Sequence, residues 1–67
     1  MSQRQFVETV RSLFPGMSAA VAYGEYRVGF RNEPESFAFE TDPVEAIHTA
    51  RLMYMARTGR NVPVFAV

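Results

Sequence analysis

The sequence predicts a small α+β domain of order α-β-β-β-α, with a further strand expected at the C-terminal edge and both helices on one face of an antiparallel meander. Three observations carry that prediction. The N-terminal segment repeats its apolar residues at helical spacing, the middle alternates with period two, and a segment opening on DPVEA has a helix start of unusual clarity. At 67 residues the chain is long enough for a single domain spanning 1–67. A core of that size is marginal, and with no Cys and one His neither disulfides nor a metal cluster can reinforce it.

The first helix is expected from about Ser2 to Phe14. Ser2 and Gln5 have capping-box spacing, and Phe6, Val7, Val10, Leu13 and Phe14 form one apolar stripe. Arg4, Glu8 and Arg11 fall on the opposite side, spaced so that they can pair, and Pro15-Gly16 ends the element.

The stretch AAVAYGEYRVGF changes parity. Before Gly24 the larger apolar residues are odd (Val21, Tyr23), and after it they are even (Tyr26, Val28, Phe30). A two-residue turn at Gly24-Glu25 would put both sets on one face by pairing Tyr23 with Tyr26 and Val21 with Val28, and glycine first suits a type II′ turn. A bulge at Gly24 in one long strand would change the parity as well.

A second hairpin is expected to place Phe30 opposite Phe37 and Val28 opposite Phe39. That register sets Arg27 across from Glu40 on the wet face, with Asn32-Glu33-Pro34-Glu35 as the loop. The wet face would then carry Arg27, Gly29, Arg31, Ser36, Ala38 and Glu40.

The second helix starts at Asp42 as cap with Pro43 in the first helical position, and runs to about Thr58 before Gly59. NVPVFAV is β-branched and aromatic, so it reads as a last strand, which Pro63 confines to an edge or delays.

Little in the sequence suits catalysis. There is no cysteine, no serine in a glycine elbow and no glycine-rich phosphate loop, and Glu45 with His48 gives at most two metal ligands. The expectation is a non-enzyme with no cofactor. No apolar run approaches the roughly 18 residues of a membrane span, so a soluble cytoplasmic protein without membrane contact is expected.

Charge is zero overall but unevenly spread. Glu33, Glu35, Glu40, Asp42 and Glu45 lie in a stretch without a cation, while all seven cations, every one an Arg, lie elsewhere. The element order also occurs in double-stranded RNA-binding domains, which grip phosphates through lysines at the start of their second helix. DPVEA puts negative charge there, so the likeness stops at element order and nucleic acid is disfavoured as a partner.

Protein binding is left as the leading expectation. RLMYM, residues 51–55, places four large apolar side chains in a row, too many for one helix face. Ala46, Ile47, Ala50, Met53, Tyr54 and, at its end, Arg57 fall on the core-facing arc. Val44, His48, Leu52 and Met55, with Arg51 beside them, form a second stripe that either the chain's own ends or a partner would cover. Glu33, Glu35 and Glu40 join this stripe as the expected partner-binding residues, facing a protein or ribonucleoprotein with a basic surface. Small phage inhibitors, such as anti-CRISPR proteins or polymerase inhibitors, are similar in size and economy. The alternative is a homodimer or other homo-oligomer, through the stripe or through the C-terminal edge.

Overall fold

The computed structural model describes residues 1–64. Its elements are α1 (Gln3–Leu13), β1 (Met17–Ala22), β2 (Glu25–Phe30), a 3-10 turn (Pro34–Ser36), β3 (Ala38–Glu40) and α2 (Pro43–Thr58). The three strands form one antiparallel meander of order β1-β2-β3, as expected. Of the expected terminal strand, residues 61–64 have no regular secondary structure, and Phe65, Ala66 and Val67 lie outside the described residues.

Both helix starts form as their sequences imply. The Ser2 hydroxyl accepts the Gln5 amide hydrogen while the Gln5 side chain accepts that of Ser2, at 3.1 and 2.8 Å. These bonds satisfy two amide donors that would otherwise lack partners. At α2 the Asp42 carboxylate accepts the Val44 amide at 2.9 Å, with Pro43 in the first turn. Gly59 ends that helix at φ 75°, a left-handed conformation suited to a residue without Cβ.

One face of the sheet holds the core. Phe6, Val10 and Phe14 of α1 and Ala46, Ile47, Ala50 and Tyr54 of α2 are buried together with Met17, Ala19 and Val28 of the sheet. The ring of Phe6 meets Tyr26 edge-on at 5.1 Å, and Phe14 meets Tyr54 at 5.6 Å. Met53 packs against this core from its margin. The result is a two-layer slab of 31 × 29 × 16 Å, with helices on one side of the sheet.

The strand registers differ from those expected. The first turn is Tyr23-Gly24, so Val21 faces Tyr26 and Ala19 faces Val28. Both turn residues have positive φ, 54° and 75°, the signature of a type I′ turn, whose twist matches that of the strands it joins. Gly24 therefore supplies the second turn position instead of the first, and Tyr23 is left at the tip, 95% exposed.

The second register is displaced by one residue. Val28 faces Ala38, Arg27 faces Phe39, and Tyr26 faces Glu40. Because side chains alternate, this moves Ala38 and Glu40 to the helix side and Phe37 and Phe39 to the open side. The loop explains the displacement. Asn32 adopts φ 66° and Pro34–Ser36 coils into a 3-10 turn. The Ser36 hydroxyl then accepts the Phe30 amide hydrogen at 2.8 Å and donates to the Glu33 carbonyl at 2.7 Å. A side chain thus takes the amide bond that a Phe30–Phe37 pairing would have supplied.

Candidate functional site

The uncovered face of the sheet has a graded relief that follows from these registers. β1 contributes the small residues Ser18, Ala20 and Ala22, and β2 contributes Glu25, Arg27 and Gly29. Phe37 and Phe39 stand at the β3 side. A Cβ on Gly29 would lie 2.5 Å from the Phe37 ring, so the ring rests directly on glycine backbone. Phe39, beside Arg27 in the next strand, is 61% exposed. Ser18, Ala20, Arg27, Arg31, Pro34 and Phe37 are among the residues lining an open groove of about 550 Å3 across this face.

Two arginines border the groove. Arg27 donates from Nη2 to Glu25 Oε1 at 2.9 Å, along the same strand. The expected Arg27–Glu40 cross-strand pair does not form, because the shifted register sends Glu40 to the helix side. Arg27 Nε is shut off from water and, among the described residues, has no hydrogen-bond partner. Among the described residues Arg31, which is exposed, forms no ion pair.

The acidic segment is dispersed in the fold. Glu33 is gripped by Arg57 through both terminal nitrogens, with Nη2 to Oε1 at 3.0 Å. The Arg57 guanidinium also lies 3.6 Å from the centre of the Phe30 ring. Its hydrogen bond holds the Glu33 carboxyl below the usual carboxylate range and raises the Arg57 pKa in turn. Glu35 is exposed on the 3-10 turn, Glu40 is half-buried at the end of β3, Asp42 caps α2, and Glu45 is exposed in its first turn.

The second stripe of α2 is split. His48 is exposed and Leu52 is 53% exposed, whereas Val44, Arg51 and Met55 are half-buried. Arg51 donates to the Asn61 side chain at 3.1 Å, and Val62 and Val64 pack against the core. The tail therefore returns along α2 beside Arg51 but leaves Leu52 bare. No bond links Glu45 to His48, and none links Arg4, Glu8 and Arg11.

Sequence reasoning missed Phe37 and Phe39 as surface groups. The available signal was Gly29, since glycine inside a strand marks the close approach of another group. Among the described residues no three His, Asp or Glu side chains are grouped as a metal site would need, and no helix is long and apolar enough to cross a membrane. No protein-family model, no curated protein and no solved structure matches this chain.

Proposed function

We propose that this chain is a non-catalytic protein-binding domain, an inhibitor or regulator that acts by occupying a surface of a larger assembly, and that it binds through the uncovered sheet face. The observation that carries the reading is the pair of phenylalanines on that face, with Phe39 61% exposed between a groove and the sheet edge. Aromatic and arginine side chains are the types over-represented where proteins bind one another, the aromatic ones because they present large contact area with few rotatable bonds. Phe37 is already immobilised on Gly29, so binding there would cost little further ordering. Phosphate binding is the weaker reading, since Glu25 already neutralises Arg27 and each phosphate contact adds to affinity only through a free cation.

The test is a photo-crosslinking amino acid in place of Phe39, compared with the same group at Glu8 on α1. A protein adduct from position 39, absent from position 8, is the expected result. Equal labelling at both positions, or none at 39, would sink the assignment.

A second reading rests on Leu52, bare at the middle of the outward side of α2 with His48 one turn before it. It assigns the partner contact to Val44, His48, Arg51, Leu52 and Met55, with Glu35 and Glu40 facing a basic surface. Loss of partner capture by Leu52→Ala/Met55→Ala with Phe39 intact would favour it.

A further inference from the structure

We infer that the tip of the first hairpin is an insertion point, at which the Tyr23 ring enters an apolar cavity of a partner protein. The contact presupposes a protein-binding domain, as proposed above, and adds to it the shape of the surface that receives the tip.

Tyr23 breaks a local rule with no compensation inside the chain. Among the described residues two that are not glycine hold positive φ, Tyr23 at 54° and Asn32 at 66°. Asparagine adopts that conformation readily, whereas a bulky side chain is strained in it. The first position of a type I′ turn favours Asn, Asp or Gly for the same reason. Burial of the ring would offset the strain, yet Tyr23 is 95% exposed, above every other large apolar residue described. It belongs neither to the core nor to an aromatic pair among the described residues. Strain and exposure that nothing within the fold offsets are characteristic of groups that act on something outside it.

The stem gives the ring a fixed place. Ala22 pairs with Glu25 directly beneath the two turn residues, so the ring is carried on closed antiparallel backbone and not on a loose loop. A ring with two side-chain torsions on such a stem loses little freedom when it is bound. Its neighbours define what can hold it. Gly24 has no side chain and Ala22 only a methyl, so the ring stands alone at a convex end. A flat surface would cover one side of it, whereas a cavity encloses and desolvates it, as at the anchors that dominate protein interfaces. Charge disfavours a phosphate-bearing occupant. The charged residues of the hairpin end are Glu25 and Arg27, already joined at 2.9 Å, so neither strand offers the tip a free cation. Both grooves of the described chain carry two arginines and a glutamate in their lining, so a second copy offers no apolar cavity.

The test is the full chain with p-benzoylphenylalanine in place of Tyr23, irradiated in an extract of the source cells with excess unlabelled chain as competitor. The expected result is an adduct with one protein, attached through a peptide of apolar side chains, that wild-type chain and Tyr23→Phe suppress equally. Tyr23→Asn should need at least about tenfold more to suppress it, although it melts at a higher temperature than the wild type. A variant that is better folded and binds worse separates the contact from the fold. Equal suppression by Tyr23→Asn would overturn the inference, as would a lower melting temperature for it, no competable adduct, or an adduct with nucleic acid or with a second copy. The same group at position 39 reports on the sheet face. A competable adduct at 23 with none at 39 would remove the face and keep the tip, and one at 39 with none at 23 would remove the tip alone. None at either position would remove the protein-binding domain with both.

Discussion

The Phe37 ring lies where a side chain on Gly29 would have to be, 2.5 Å from the position of its Cβ. Gly29→Ala should therefore displace the ring, at a cost of about 1–3 kcal/mol for overpacking. Urea denaturation of Gly29→Ala, Phe37→Ala and the double variant would show it. The double variant should lose clearly less than the two singles added together, because the second change removes the clash that the first creates. Additive losses would mean that the ring is not seated there.

Tyr23 holds φ 54° while its side chain is almost wholly in solvent. A bulky residue is disfavoured in that conformation, whereas asparagine adopts it readily and Asn-Gly is a preferred type I′ pair. Tyr23→Asn should raise stability by roughly 0.5–1 kcal/mol, seen as a higher melting temperature. A lower one would show that the tyrosine ring makes a contact worth more than the backbone strain.

The Glu33–Arg57 pair gives stability a definite acid dependence. Glu33 has a depressed pKa in the fold, chiefly from the Arg57 hydrogen bond. Its contribution is therefore complete above the pKa of the unfolded chain and disappears as pH falls through the lower folded value. Glu33→Gln should flatten the acid limb of a plot of denaturation midpoint against pH and lower the plateau at neutral pH. An acid limb of unchanged slope would show that the pair adds nothing. Because both partners are largely solvated, added salt should shrink the difference between the two proteins.

Within α2, two large aliphatic residues five positions apart should behave oppositely. Ile47 is fully buried, and Ile47→Ala should cost about 2–5 kcal/mol through lost burial and a cavity. Leu52→Ala should stay within about 0.5 kcal/mol in the isolated monomer, as at ordinary surface positions. A domain of this size has roughly 3–10 kcal/mol in total, so the first change brings it near unfolding. Thermal melts of both variants would check the contrast.

The legible parts of the fold were those fixed by local chemistry. Ser2 with Gln5, and Asp42 with Pro43, announce helix starts because the groups that satisfy the first amides are neighbours in sequence. The helix stripes identified Phe6, Val10, Ile47, Ala50 and Tyr54 correctly, since 3.6-residue spacing needs no knowledge of the partner element. Strand register was harder, because it depends on how many residues a turn consumes. The Ser36 hydroxyl and the left-handed Asn32 together shifted the second hairpin by one position, enough to exchange its faces. The opposite charges of Arg27 and Glu40 suggested a pairing, yet an exposed pair contributes too little to set register against loop geometry. The surface aromatics were hidden for the same reason, as Phe37 and Phe39 alternate equally well with either face inward.

Among the described residues each strand pairs only with its neighbour in sequence, and the connection between the first two is a two-residue turn. The sheet can therefore assemble by successive short closures, each with a small entropic cost before its contacts form. The later, more distant event is the arrival of α2, which brings Tyr54 to Phe14 and Arg57 to Glu33 across 40 and 24 positions of chain. α1 packs on β1, whereas α2 packs on β2 and β3, so Val28 on β2 has its cover completed by the second helix. The docking of the second helix thus supplies the contacts of longest sequence separation, and the cap at Asp42 favours that helix locally, without help from the sheet.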